Sequence, residues 1–226
     1  MADHLAGKVH HGRTALVAGA SGLVGTALLA ALLADPRYTA VLSIGRRTLD
    51  LAHPKLKQQV VDFRAISELA PVDDAFIALG TTIKVAGSQA AMRALDVDAV
   101  VAVAQAAKAA GAKRLGVVSS MGANAKSPVF YTRIKGEMEA AVQSLNFVQT
   151  VIAQPGQLSG PREALGQPHR ASERAALAVM HWLKPLIPAN YRPIPSTRVA
   201  SALIAAMALD SPGIYRLLSG DMQRTN

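Results

Sequence analysis

A chain of 226 residues, half of them hydrophobic, can bury one sizeable core and falls within the range of a single α/β domain. It has no cysteine, which excludes disulfides, thiolate metal sites and cysteine nucleophiles. Its net charge of +9 is diffuse, with no basic run longer than two residues, and aromatics make up only 4%, so base-stacking platforms for nucleic acid are scarce and a polyanionic small molecule suits the charge better.

The chain opens on "MADHLAGKVHHGRT", which lacks an apolar leader, and no later stretch reaches the roughly 18 uninterrupted apolar residues of a membrane span. With the absence of cysteine, this leads to the expectation of a soluble, cytoplasmic protein with neither membrane nor nucleic acid as partner.

The first predicted element is a buried strand, "TALVAG" (14–19), followed by a helix, "LVGTALLAALLAD" (23–35), that Pro36 ends. "TAVLSIG" (39–45), "QQVVDF" (58–63) and "DAFIALG" (74–80) read as the second, third and fourth strands. A long Ala-rich helix, "GSQAAMRALDVDAVVAVAQAAKAAGA" (87–112), is stopped by Gly111. "KRLGVVSS" (113–120) is the fifth strand, "PVFYTRIKGEMEAAVQSL" (128–145) a helix and "NFVQTVIAQPG" (146–156) the sixth strand. Such alternation implies a Rossmann-like doubly wound parallel sheet with helices on both faces.

After Gln154 the texture changes. Two Pro- and Gly-rich stretches, 155–169 and 185–196, flank a predicted helix "ASERAALAVMHWL" (171–183), and a helix at 197–210 and a strand at 213–219 follow. The expected organisation is one domain, with a cofactor-binding core over 13–154 and a C-terminal substrate-side segment over 155–226 that is too short to own a core. His169 and His181 have no partner at metal-ligand spacing, and Trp182 is expected to pack rather than bind, so no metal site is expected.

Gly19, Gly22 and Gly25 follow the first strand at steps of three. A pyrophosphate needs bare backbone N–H groups at a helix N-terminus, and side chains there would block it. The turn holding Gly19, Ser21, Gly22, Leu23, Val24 and Gly25 is therefore the candidate phosphate cradle. An acid at the end of the second strand would bond the ribose hydroxyls of NAD. Here Gly45 takes that place and Arg46 and Arg47 follow, which suits the 2′-phosphate of NADP(H).

Ser119 and Ser120 end the fifth strand, at the sheet edge where ligands collect, and side-chain alternation lets only one of them face the cofactor. Tyr131 and Lys135 lie four apart on the next helix and share a face. A free phenol holds its proton to about pH 10, and a neighbouring ammonium makes the phenolate easier to form. The candidate catalytic set is Ser120 to hold a substrate oxygen, Tyr131 to exchange its proton, and Lys135 to tune Tyr131 and reach the nicotinamide ribose.

Together "GASGLVG", "LGTT", "VSSMGA" and "YTRIKGEMEA" resemble the short-chain dehydrogenase/reductase superfamily, in its atypical, extended-like NAD(P)H-binding branch. The resemblance is to the subgroup that includes the Tat-interacting oxidoreductase-like protein of animals and small bacterial homologues, over about residues 13–160. It implies that Ser120 is the catalytic serine, that Asp62 and Phe63 flank the adenine, that Gly80 and Thr81 pass beside the cofactor, and that Pro155, Gly156 and Leu158 pack on the nicotinamide side. Ser119, Tyr131 and Lys135 join the cofactor-binding set.

Two positions depart from the pattern. Asp96 stands where many members place an Asn that supports a water link to the active-site lysine, and Gln154 stands where related chains often have Arg before Pro-Gly. The expected function is an NADPH-dependent oxidoreductase acting on a small to medium carbonyl or alcohol. The alternative is an NADP(H)-binding redox sensor with little turnover, and the sequence leaves monomer and homodimer both open.

Overall fold

The computed structural model describes residues 12–160 and 188–224. Its strands are β1 (Arg13–Ala18), β2 (Tyr38–Gly45), β3 (Leu56–Val60), β4 (Asp74–Ile77), β5 (Arg114–Val118), β6 (Gln149–Gln154), β7 (Leu158–Ser159), β8 (Ile194–Pro195) and β9 (Gly213–Leu218). Seven of them form one parallel sheet in the order β3-β2-β1-β4-β5-β6-β9, while β7 and β8 make a separate parallel pair. The expected Rossmann-like sheet is the observed one. Strand order reverses between β1 and β4, which opens a crevice at their carboxyl ends.

Helices α1 (Leu23–Ala34), α2 (Ile83–Ala86), α3 (Gln89–Arg93), α4 (Ala99–Ala109), α5 (Phe130–Ser144), α6 (Ser196–Ala208) and α7 (Ser219–Arg224) complete the described architecture. The two-residue period of the strands sends Leu16, Ile77, Leu115 and Ile152 to one face, against Val100 and Val103 of α4 and Ile134 and Met138 of α5. Ala15, Val17, Phe76 and Val151 face the other way, against Leu28 and Leu32 of α1 and Leu203 and Met207 of α6. A fully buried side chain of this size contributes roughly 2 kcal/mol, so the two layers hold the sheet edge that carries the site.

Several boundaries differ from the sequence expectation for local reasons. The third strand ends at Val60, because Asp62 Oδ1 accepts Arg64 N–H at 3.0 Å and turns the chain there. β4 stops at Ile77, one residue before the last bond to β1, from Ala78 N–H to Ala18 O at 2.9 Å. The long predicted helix is interrupted: Gly87, at φ +83°, ends α2, the Ser88 side chain caps α3, and a π-helical turn, Ala94–Asp98, joins α3 to α4. α7 and the β7–β8 pair were not foreseen. The expected helix at 171–183, with His169, His181 and Trp182, lies outside the described residues.

At the opposite edge of the sheet, Asp74 is fully buried and accepts from Arg13 Nη2 (2.8 Å), Arg114 Nε (2.6 Å) and Tyr38 Oη (2.7 Å). Burial pushes its carboxyl up to about 6, against the Tyr38 hydroxyl and the Arg13 charge, which pull it down. This cluster ties together the starts of β1, β2, β4 and β5. It is scaffold, a sheet length away from the glycine turn.

Candidate active site

Gly19 has φ +88°, and a Cβ there would lie 2.5 Å from Ala78 O, so only glycine lets the β1 turn pass the end of β4. At Gly25 a Cβ would overlap Gly19 O and come within 2.6 Å of Gly19 C, which fixes the close approach of α1 to the turn. Gly22, the N-cap of α1, donates to Gly19 O at 2.9 Å, and no side chain caps the helix. The helix end is thus bare, and Ser21 beside it is exposed. These residues fit a dinucleotide phosphate: no side chain caps the first-turn N–H groups, and the glycines let backbone come close there.

Next to this turn, Val61 N–H bonds Gly45 O at 2.9 Å, which brings Asp62 and Phe63 alongside Arg46. Arg46 and Arg47 are both exposed. Asp62 is exposed, whereas Phe63 packs into the core with Val61 and Leu69. There is no acid on the β2 end itself, and a Cβ at Gly45 would find its nearest neighbour, Arg47 O, at 3.5 Å.

Across the crevice, the loop after β4 meets α5. Lys135 is 4% exposed, and its Nζ lies 2.6 Å from Oδ1 of the fully buried Asp96, which the π-helical turn carries. The other oxygen, Asp96 Oδ2, accepts Thr81 N–H at 2.9 Å. A Cβ on Gly80 would sit 3.4 Å from Asp96 Oδ1 and 3.6 Å from Lys135 Nζ, so the loop backbone lies directly on the ion pair.

Ser119 and Ser120 diverge as alternation requires. The buried Ser119 hydroxyl donates to Glu139 Oε1 at 2.5 Å, while half-buried Ser120 Oγ has only a 3.4 Å contact with Met121 O. Tyr131, in the first turn of α5, is 39% exposed. Tyr131, Lys135 and Glu139 follow one another at four-residue steps along one face of the helix. Of the predicted set, then, Ser120 and Tyr131 present hydroxyl groups that no strong bond engages, and the Ser119 hydroxyl is held inside.

Two residues that sequence reasoning missed shape this corner. Glu139 is buried and gathers groups from three strands: Ser119 just after β5, Gln154 Nε2 at the end of β6 at 2.8 Å, and Arg216 Nε within β9 at 3.6 Å. Gln154, where an Arg was the family expectation, therefore bonds inward to an acid that also faces an Arg from another strand. At Gly136 a Cβ would overlap Ala125 N and Asn124 C, so the loop after β5 can lie on α5 only there. A glycine inside an otherwise strong helix was the legible signal.

The segment after β6 closes the corner. Met121 N–H bonds the O of buried Pro155 at 2.9 Å, and Leu158 pairs with Ile194 in the short β7–β8 ladder. A Cβ on Gly156 would meet Asn190 O at 2.8 Å, and one on Gly160 would meet Leu23 Cδ1 at 2.8 Å. Hence Gly160 sits over the first residue of α1.

All of these positions lie at the carboxyl ends of adjacent strands, and comparison with known proteins gives the arrangement a name. An NAD(P)H-binding family matches residues 19–169. The chain belongs to the NAD(P)H-binding family. Among curated relatives of this family member, the mitochondrial protein fmp52 of Emericella nidulans is 39% identical over 155 residues, 64% of this chain and 66% of its own length. Protein HTATIP2 of Rattus norvegicus is 37% identical over 158 residues, 67% of this chain and 65% of its own. The chain thus spans just under two thirds of each of these relatives.

Among solved structures, a short-chain dehydrogenase family protein of Francisella tularensis superposes with a TM-score of 0.66 at 16% identity, covering 94% of this chain and 99% of that one. An oxidoreductase of the short-chain dehydrogenase/reductase family from Burkholderia thailandensis gives 0.66 at 20% identity, covering 93% of each chain. These place the family member's fold among the short-chain dehydrogenases, as the motifs implied. One expectation is overturned. The fungal relatives, including FMP52 of Candida albicans at 34% identity, are named mitochondrial, so the cytoplasmic assignment does not stand. Among the described residues no helix is long and apolar enough to cross a membrane.

Proposed function

We propose that this chain is an NADPH-dependent oxidoreductase that acts on a small to medium carbonyl or alcohol at a Ser120, Tyr131 and Lys135 site. The observation that carries the reading is the convergence of the bare α1 N-terminus, the exposed arginines after β2 and the α5 face bearing Tyr131 and Lys135 on one sheet edge. The nicotinamide supplies the hydride chemistry when bound. Backbone N–H groups of Leu23 and Val24 hold the pyrophosphate, and Arg46 and Arg47 hold the 2′-phosphate with paired donors.

On the substrate side, Ser120 donates a hydrogen bond to the carbonyl oxygen and Tyr131 Oη gives it the proton it needs on reduction. Lys135 reaches the nicotinamide ribose. The described part of the C-terminal segment, 155–160 and 188–224, supplies the substrate side, and one domain carries both halves of the site. Catalysis in this form is mostly the placement of the reacting groups.

A second reading, an NADP(H)-binding redox sensor with little turnover, draws on one observation. The Lys135 ammonium is buried against the Asp96 carboxylate, so the fold itself holds the lysine that turnover would call on. Kinetics with and without Tyr131 Oη separate the two readings.

Cofactor choice is tested at the β2 end. In the Arg46→Ala, Arg47→Ala double variant, NADPH affinity is expected to fall by about tenfold or more while NADH affinity changes little, since each charged contact to phosphate is worth roughly 1.5–3 kcal/mol. Adding Gly45→Asp, for whose Cβ the backbone has room, should turn the preference toward NADH. Equal loss for both cofactors in a titration of the double variant would remove the 2′-phosphate role.

A further inference from the structure

Arg46, Arg47 and Thr48 are exposed and leave the end of β2 in no helix or strand. Both ends of this short stretch are nonetheless fixed. On one side Gly45 pairs with Val60 in the β2–β3 ladder and its O accepts Val61 N–H at 2.9 Å, while Arg47 O folds back to 3.5 Å from where a Gly45 Cβ would lie. On the other side Leu49 packs against the core layer that contains α1, as does Leu56 of β3.

Gln58 tightens the second anchor. Two residues beyond Leu56, its side chain leaves β3 on the same face, and its amide engages the loop at both ends. Oε1 accepts Leu49 N–H at 2.7 Å, and Nε2 donates to Leu49 O at 3.1 Å and to Leu51 O at 3.2 Å. The pattern calls for an amide of this length, since a carboxylate would face two carbonyls without a donor and Asn is one methylene shorter. Gln59 leaves the strand on the opposite face and bonds Ser67 Oγ at 3.2 Å, so the two glutamines hold different loops. Backbone alone makes the β2–β3 ladder; what the Gln58 amide fixes is the segment that carries the two arginines.

We propose that Gln58 is a positioning residue for cofactor selectivity: its amide holds the loop after β2 so that Arg46 and Arg47 stand in place before a 2′-phosphate arrives. The proposal rests on the reading of those arginines as the 2′-phosphate contacts. Ordering the loop in advance spares the ligand the entropy of fixing it, and only a ligand that carries the 2′-phosphate gains.

The test is titration with NADPH and with NADH of Gln58→Ala, alone and in the Arg46→Ala, Arg47→Ala background, with Gln59→Ala as a control on the same strand and a thermal melt of each variant. Gln58→Ala is expected to weaken NADPH binding by about fivefold and NADH binding by less than about twofold, and to change NADPH binding by less than about twofold once both arginines are gone. Gln59→Ala should keep the NADPH-to-NADH ratio of the unaltered chain. Gln58→Leu, which keeps the bulk and removes the polar groups, gives the same readings should the Ala variant fail to fold. Equal loss for both cofactors, the same loss with the arginines removed, or an equal shift of the ratio in Gln59→Ala makes Gln58 a stabilising residue only and overturns the proposal. So does unchanged NADPH affinity in Gln58→Ala when the arginine variant is weakened, and each of these results leaves the reading of the arginines intact. Unchanged NADPH affinity in the Arg46→Ala, Arg47→Ala variant overturns that reading, and the proposal with it.

Discussion

Tyr131→Phe is expected to lower turnover by about 10²- to 10⁴-fold, the usual range for loss of a general acid, while NADPH affinity stays within about twofold. The expectation follows from where the ring sits. Tyr131 is partly exposed in the first turn of α5, with no side-chain partner that the fold depends on, so removing Oη takes away a proton and little else. The measurement is steady-state kinetics on whichever carbonyl of a quinone and aldehyde panel the unaltered chain reduces, beside a cofactor titration. Full turnover in Tyr131→Phe would remove the acid role. Joint loss of turnover and NADPH binding would make Tyr131 a structural residue.

The glycine turn gives the second large effect, and it separates stability from binding. Gly25→Ala would drive a methyl into Gly19 O and to within 2.9 Å of Ala20 Cα, and since every obstacle is backbone, no side chain can yield. A loss on the order of 4 kcal/mol or more is expected, with NADPH binding lost as α1 moves off the turn. Gly22→Ala differs: its φ is −88°, and the nearest atom to the new methyl is Gly19 O at 3.3 Å. That variant should melt close to the unaltered chain and still bind NADPH at least about tenfold more weakly, because the methyl stands where phosphate meets the helix N-terminus. Thermal melts and a titration of both variants check the pair. Equal melting temperatures for the two would contradict the packing role given to Gly25.

How much of this was legible in the sequence depended on whether the cause was local. The spacing of Gly19, Gly22 and Gly25 states a backbone requirement that a sequence carries openly, and the alternation of strands and helices states the fold class. Asp62, by contrast, ends β3 early through its own turn, and the π-helical turn is hidden in an Ala-rich run whose composition suits an unbroken helix. Its inward Asp96 then pairs with a lysine 39 positions later, a contact that no local pattern announces.

The corner around Glu139 was hidden for the same reason, since Ser119, Gln154 and Arg216 come from three different strands far apart in the sequence. In the sequence, Gln154 read only as a departure, standing where related chains often have Arg. In the structure it bonds to the buried Glu139, together with the buried Ser119 hydroxyl and the exposed Arg216. The absence of cysteine spoke to the chemistry available to the chain and carried no information about compartment, which is where the cytoplasmic expectation failed.

The most direct test of the whole account is a calorimetric titration of the purified chain with NADPH and, separately, with NADH. Binding of NADPH at about micromolar Kd or tighter, near −8 kcal/mol, with NADH weaker by at least about tenfold, is the result the glycine turn and the two arginines lead to. Absence of binding by either cofactor, or a preference for NADH, would contradict it.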